Sequence, residues 1–199
     1  MIAVVDYQAG NLTSVCKALR TLGVSPFVTS DPVALRAAEK IILPGVGHFA
    51  ATGRLAQSGM ADAIRDRVAQ GALFLGICVG LQWAFSGSTE APEAAGLGIF
   101  SGTCELFPPS VKCPHVGWNS LELVRPSRLL RGLGPSPYLY FTHSYRAPVV
   151  KETVAVTDYA GLFSAAVEDG NWMAVQFHPE KSGEAGLQVL RNFLEAPVC

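Results

Sequence analysis

Apolar positions in the first half of the chain switch repeatedly between two periods. Residues 2–5 form a short apolar run of strand length, and Leu12, Val15, Cys16, Leu19 and Leu22 follow at helical spacing. Gly23 ends that helix, and residues 26–29 read as a second strand. Asp31-Pro32 is an N-cap with proline at the first helical position. Residues 40–43 read as a strand running into a turn, Pro44-Gly45-Val46-Gly47. Residues 60–70 are helical, Gly71 caps them, and residues 72–75 form the next strand. This alternation predicts an α/β fold: an open, mostly parallel sheet with helices on both faces.

From about Leu97 to Phe177 the pattern changes to short β-like runs separated by Gly, Pro and Asn, among them residues 138–141 and 153–157. Residues 183–194 close the chain as a helix. The sequence shows neither a repeat nor a low-complexity tract or dividing linker. A β-rich second half is therefore expected to fold into the same unit, with residues 1–199 forming one domain.

Composition narrows the class. Charged residues make up 16% of the 199, below the roughly 25% usual for soluble domains. Mean hydropathy is +0.29, yet no apolar stretch reaches the about 18 residues of a membrane span. Few charges on an apolar chain suit either a well-filled core or a surface hidden against a partner. A net charge of −1 with scattered signs speaks against nucleic acid and anionic membrane as partners. The five cysteines are an odd count without CxxC spacing, and the chain opens on a strand rather than a signal segment, so a cytoplasmic protein with reduced thiols is expected. Cys113-Pro114-His115 is the only close Cys/His pair, and no metal site is expected.

The chemistry centres on Leu73-Phe74-Leu75-Gly76-Ile77-Cys78-Val79-Gly80. A strand runs into a cysteine flanked at both second neighbours by glycine, with a helical stretch beyond, which is the layout of a nucleophile elbow. Gly76 and Gly80 suit a turn too tight for neighbouring β-carbons, and a thiol at a helix N-terminus is favoured as thiolate. The same residues also describe a glycine-rich strand end with a buried structural cysteine. A second segment, Ala174-Val175-Gln176-Phe177, is strand-like and meets His178-Pro179-Glu180. Pro179 holds His178 extended, so His178 and Glu180 point to one side. A histidine oriented by a carboxylate, beside an elbow thiol, is the arrangement of an activated nucleophile. His-Pro-Glu alone would more often be a surface turn, and it is the combination that favours catalysis.

Acyl transfer needs backbone donors for an oxyanion. The N–H of Val79 is one candidate, and an N–H within Gly45-Val46-Gly47, at a strand's carboxyl end, is the other. An ordinary βα turn would read the same way. Gln82 lies four residues after Cys78, on the same helix face, where it would bind a substrate amide or carboxylate or simply cap an exposed side.

These segments resemble the class I glutamine amidotransferases. Within that family the likeness is to the glutaminase subunits of imidazole glycerol phosphate synthases. It rests on Asp6-Tyr7-Gln8-Ala9-Gly10-Asn11-Leu12, Leu43-Pro44-Gly45-Val46-Gly47 and Gly76-Ile77-Cys78-Val79-Gly80-Leu81-Gln82. Pro114-His115-Val116-Gly117-Trp118-Asn119, Phe141-Thr142-His143-Ser144-Tyr145 and Gln176-Phe177-His178-Pro179-Glu180-Lys181-Ser182 complete it. Gln8 stands where the family carries a small residue. The resemblance implies a Cys78, His178, Glu180 triad and a glutamine pocket of Gln82, Glu90, Ser144 and Tyr145. It also implies no cofactor, and release of ammonia to a (β/α)₈-barrel synthase partner in a heterodimer. An amidotransferase subunit for pyridoxal phosphate synthesis would share the triad, but Trp118-Asn119 speaks against it. A cysteine peptidase or esterase would act on larger substrates, and a non-enzymatic subunit would not need the triad residues.

Overall fold

The structure is a computed structural model that describes residues 1–198. Strand β1 (Ile2–Val5) leads into helix α1 (Leu12–Thr21), whose buried stripe is Val15, Cys16, Ala18 and Leu19. Gln8 adopts a positive φ of 62° in the loop between them, with its N–H on the Asp6 carboxylate at 2.8 Å. That left-handed backbone is why a small residue would suit the position. Strand β2 (Phe27–Thr29) precedes a single helical turn, α2 (Pro32–Leu35), started by the Asp31 carboxylate accepting the Val33 N–H at 2.8 Å.

Strand β3 (Lys40–Gly45) extends further than its aliphatic run, because Pro44 and Gly45 pair with Ile77 and Cys78 of β4 (Leu73–Cys78). The turn expected over residues 44–47 therefore begins only at Val46. A 3-10 turn (Phe49–Thr52), α3 (Gly53–Gln57) and α4 (Met60–Ala69) join β3 to β4, and α5 (Val79–Ala84) leaves β4 at once.

The second half contributes β5 (Gly87–Ser88), β6 (Thr103–Leu106), β7 (His115–Ser120), β8 (Glu122–Leu123) and β9 (Tyr138–His143). After β10 (Tyr145–Arg146) come β11 (Thr153–Asp158), β12 (Leu162–Asp169) and β13 (Trp172–Val175), then α6 (Gly183–Glu195). One eight-stranded sheet in the order β2-β1-β3-β4-β13-β12-β11-β8 joins both halves. Pairing is parallel from β2 through β13 and antiparallel from β13 out to β8. The crossovers β1→β2 and β2→β3 run in opposite directions, so right-handed connections put α1 on one face and α2 on the other. Helices α2 and α3 pack on α4, whereas α1 and α6 share the 3-10 turn Pro179–Lys181.

Strand β13 shows why its sequence is apolar throughout. Met173 and Val175 face the main core with Phe163 and Phe177, while Ala174 faces a second cluster of Leu81, Phe85, Phe100 and Cys104. Pairing with β4 ends at Val175, but the Gln176 N–H still donates to the Ala165 carbonyl of β12 at 2.9 Å, and the His178 N–H is taken by the Tyr140 carbonyl of β9 at 2.9 Å. Lys40, buried at the start of β3, donates to the carbonyls of Phe193 (3.0 Å) and Ala196 (2.6 Å) at the end of α6, and to that of Leu194. An ammonium there satisfies carbonyls that a helix end leaves without partners. Cys16, Cys78, Cys104 and Cys113 are free thiols, and Cys199 lies outside the described residues.

A β-carbon at Gly80 would sit 2.2 Å from the Leu43 carbonyl oxygen, whereas one at Gly53 meets nothing within 4 Å. Gly80→Ala is expected to lower unfolding free energy by about 3 kcal/mol or prevent folding. Gly53→Ala is expected to be neutral or to stabilise by up to about 1 kcal/mol. Urea unfolding of the two variants beside wild type checks the contrast.

Candidate active site

Cys78 ends β4 and caps α5 with φ 54° and ψ −105°, and it is only 3% exposed. A side chain rarely adopts this backbone, which persists only where surrounding structure fixes it. Three close approaches do so. Besides the Gly80 contact with Leu43, a β-carbon at Gly76 would meet the Gly80 oxygen at 2.5 Å, and one at Gly45 the Val79 Cβ at 2.6 Å.

His178 is extended as expected (φ −101°, ψ 95°), and the chain curls only beyond it, in the 3-10 turn Pro179–Lys181. The curl still brings His178 Nδ1 to 2.8 Å from Glu180 Oε1, with both side chains 1% exposed. Ser182, which the sequence gave no reason to single out, clamps this turn. Its Oγ donates to the His178 carbonyl at 2.6 Å and accepts the Tyr140 N–H at 2.9 Å. His178 Nε2 has no protein hydrogen-bond partner. Burial opposes a charge on His178, but the nearby Cys78 sulfur and the Glu180 carboxylate bonded at Nδ1 outweigh it and raise the pKa to about 10.

Cys78 opens on a cavity of about 230 Å³. Val46, Gly47, Val79, Gln82, Glu90, Ser144 and Tyr145, all expected here, line it, and Pro114, Thr142 and His143 join them. Gly45 does not line it. It is a buried strand residue whose lack of a β-carbon admits Val79 and the Tyr7 hydroxyl, so only Val46 and Gly47 of that segment present backbone to the cavity. Gly47 has φ +99°. Glu90 Oε2 accepts the Phe49 N–H at 2.7 Å.

Gln82 is buried, which overturns the reading of it as an exposed polar residue on its helix. Its Nε2 donates to the Tyr145 carbonyl at 3.0 Å and to Gln176 Oε1 at 3.4 Å. Both protons of that nitrogen are used inward, so what Gln82 offers a ligand is its carbonyl oxygen.

Sequence reasoning missed the pair His115 and His143. Both are buried, and burial lowers His115 to about 4 and His143 to about 3. Their bonds fix the tautomers. His143 Nδ1, 2.8 Å from the Tyr145 carbonyl, must carry its proton. His143 Nε2 then accepts from His115 Nδ1 at 3.1 Å, and His115 Nε2 accepts from Asn119 Nδ2 at 3.4 Å. With both nitrogens so engaged, His115 forms no ligand pair with the exposed Cys113. Among the described residues, no group of three or more His, Cys, Asp or Glu side chains could hold a metal, and no helix is long and apolar enough to cross a membrane.

An α/β sheet that presents a thiol on a strand-to-helix elbow, beside a histidine–carboxylate pair and a pocket, defines a class of thiol-bearing α/β proteins. Residues 3–196 match the model of the class-I glutamine amidotransferase family, and the chain belongs to that family. It is 48% identical to imidazole glycerol phosphate synthase subunit HisH of Methanothermobacter thermautotrophicus, covering 98% of each chain. It is 47% identical to the subunit of the same name from Moorella thermoacetica, over 98% of this chain and 94% of that one. Among solved structures, one titled as a glutamine amidotransferase superposes with TM-score 0.77 at 22% identity, covering 98% of each chain. The PurLQS structure from Thermotoga maritima contains a chain with TM-score 0.74 at 21% identity, covering 97% of this chain and 96% of that one. These two share the fold.

The neutral histidines make stability fall in mild acid. His143 has a folded pKa of about 3 against about 6.5 when unfolded, so only the unfolded chain takes its proton in between. Stability from this group is complete above about pH 6.5 and is lost as pH falls, by about 2 kcal/mol at pH 5. Urea unfolding at pH 7 and pH 5 should show the loss, and a His143→Gln variant should show a correspondingly shallower pH dependence.

Proposed function

We propose that this chain is the glutaminase subunit of an imidazole glycerol phosphate synthase, with residues 1–199 acting as one amidotransferase domain. The observation that carries the reading is the strained Cys78 thiol beside the buried His178–Glu180 pair, opening on a cavity of about 230 Å³. Near-full-length identity of 48% to a HisH subunit supports the choice of synthase.

Cys78 Sγ attacks the side-chain carbonyl carbon of glutamine, and the C–N bond breaks as His178 delivers a proton to the departing ammonia. The glutamyl thioester is then hydrolysed by water that His178 deprotonates, releasing glutamate. Glu180 holds the imidazole by Nδ1 and supports its charge. Val79 supplies one oxyanion N–H, and Val46 or Gly47 the other. Gln82, Glu90, Ser144 and Tyr145 hold the substrate, the Gln82 carbonyl accepting from an N–H of glutamine.

Ammonia passes to a (β/α)₈-barrel synthase subunit. That subunit converts a phosphoribulosyl-formimino carboxamide ribonucleotide to imidazole glycerol phosphate and aminoimidazole carboxamide ribonucleotide, a lyase step of histidine biosynthesis. The pair forms a heterodimer in the cytoplasm. A face suited to such a partner lies beside the site: the two-stranded sheet of β7 and β9 exposes Val116, Trp118 and Tyr138. The same β9 binds the backbone of His178.

Cys78→Ala is expected to abolish glutamine hydrolysis while leaving ammonia-dependent product formation in the complex. Persistent glutaminase activity would remove Cys78 from the mechanism. His178→Ala should lose several orders of magnitude in kcat, and Glu180→Gln less, because the imidazole remains. Equal activity of His178→Ala and wild type would exclude His178.

The exposed Gly47 turn makes the second oxyanion donor dependent on one peptide plane. Its carbonyl facing inward repels the oxyanion, and its N–H facing inward stabilises it. Glutaminase activity is therefore expected to be low alone and to rise at least about 10²-fold in the liganded complex. Gly47→Pro, which forbids φ near +99° and removes an N–H, should blunt that rise without preventing assembly. Full activity of the isolated wild-type chain would exclude this switch.

A further inference from the structure

Strand β13 runs parallel to β4 with Ala174 opposite Gly76 and Val175 opposite Ile77. Continued by one residue, that register brings Gln176 level with Cys78. Gln176 is fully buried, and its Nε2 lies 3.6 Å from Cys78 Sγ. Resting on the reading of Cys78 as the nucleophile, we infer that Gln176 is a further catalytic group, whose amide N–H stabilises the Cys78 thiolate and whose orientation is fixed by Gln82.

A side-chain amide can be turned either way, so the direction of the Gln176 group has to come from its neighbours. The Tyr145 carbonyl can only accept, so the Gln82 atom 3.0 Å from it is the amide nitrogen. The second proton of that nitrogen points to Gln176 at 3.4 Å, so the Gln176 atom facing it is the oxygen. The other end of the Gln176 amide, toward the sulfur, is therefore N–H. The Tyr145 carbonyl is itself held by the His143 Nδ1–H at 2.8 Å, and His143 by His115 and Asn119. Each donor in this chain fixes the next.

An N–H aimed at sulfur distinguishes the two states of the thiol. A hydrogen bond to a charged acceptor is roughly twice as strong as one to a neutral acceptor. The protonated thiol has its own acceptor, the Thr142 carbonyl at 3.8 Å, and gains little from Gln176. Burial by itself disfavours a thiolate, and a fixed amide donor offsets that without adding a competing charge or proton. Gln176 neither gives nor takes a proton. Its support is withdrawn when sulfur bonds to the glutamyl carbon and returns when the thioester is cleaved, so it assists expulsion of the thiolate as well as its formation.

The test is the pH dependence of iodoacetamide alkylation of Cys78 in the full chain, followed by peptide mass spectrometry with exposed Cys113 as internal control. Gln176→Met, which keeps the volume and removes the donor, should raise the alkylation midpoint by about one pH unit and slow reaction at pH 7 about tenfold. Gln176→Glu should raise it further. A purely structural role would change the plateau rate but leave the midpoint at its wild-type value, and that result would overturn the inference. Should the variants not fold, the wild-type chain answers by NMR. The Gln176 side-chain N–H resonances should follow pH with the Cys78 midpoint and stop doing so in Cys78→Ala; resonances indifferent to that midpoint would overturn the inference too. Glutaminase activity of Cys78→Ala is read in parallel: retained activity sinks the nucleophile, whereas an inactive Cys78→Ala with an unmoved Gln176→Met midpoint sinks Gln176 alone.

Discussion

The backbone at Cys78 is the constraint around which the rest is arranged. A φ of 54° at a residue with a side chain is unfavourable by about 1–3 kcal/mol and relaxes unless it is held. Here it is held by close approaches to glycine, two of main chain on main chain and one of main chain on the Val79 β-carbon. The Gly80 α-carbon lies against the Leu43 carbonyl, Gly76 against the Gly80 carbonyl, and Gly45 against Val79. None of the three contacts tolerates a methyl group, so β3, β4 and α5 form one rigid corner. The thiol is presented by the sheet itself rather than by a loop, and its direction is therefore set by the most rigid part of the molecule.

The second half of the chain completes the site through register. In a parallel sheet, ligands gather beyond the carboxyl ends of the strands. Pairing of β13 with β4 brings Gln176 and the His178 turn to that edge next to Cys78, although about a hundred residues separate them in sequence. Two further contacts aim the histidine. Strand β9 accepts the His178 N–H, and Ser182 bridges the His178 carbonyl to the Tyr140 N–H. The antiparallel extension from β13 to β8 and the separate pair β7–β9 thus support the geometry of a single turn.

The sequence made the first half legible because its signals are local. Helical spacing from Leu12 to Leu22, the Asp31-Pro32 cap and the glycines around Cys78 each act within one element, and each appears where it was read. The boundary of β3 was misread because Pro44 and Gly45 look like a turn, while pairing with Ile77 and Cys78 keeps them in the sheet. Gly45 was mistaken for a residue facing the site for the same reason. Gln82 left two readings open, since helical spacing gives a face but not what covers it. His115 and His143 stand 28 residues apart, so only the pairing of β7 with β9 joins them. Ser182 and Gln176 were visible as letters of a motif, but their hydrogen bonds depend on strands paired over long distances.

Polar satisfaction separates the scaffold from its reactive centre. Asn119, His115, His143 and the Tyr145 carbonyl form a chain in which every donor meets an acceptor, and burial keeps both imidazoles neutral, so no face-to-face donors arise. Lys40 at the end of α6 is likewise fully engaged. Among the described residues, the buried side-chain atoms without a protein partner are His178 Nε2, Glu180 Oε2, the Tyr7 hydroxyl and, away from the site, Glu152 Oε2. The first two belong to the pair beside Cys78, and the third lies against Gly45. An Nε2 tied to a permanent acceptor could not serve a sulfur that changes charge, and His178 Nε2 carries no such tie. The ordered chain around it holds the neighbouring amides still, which leaves His178 as the group beside the thiol that is free to exchange a proton.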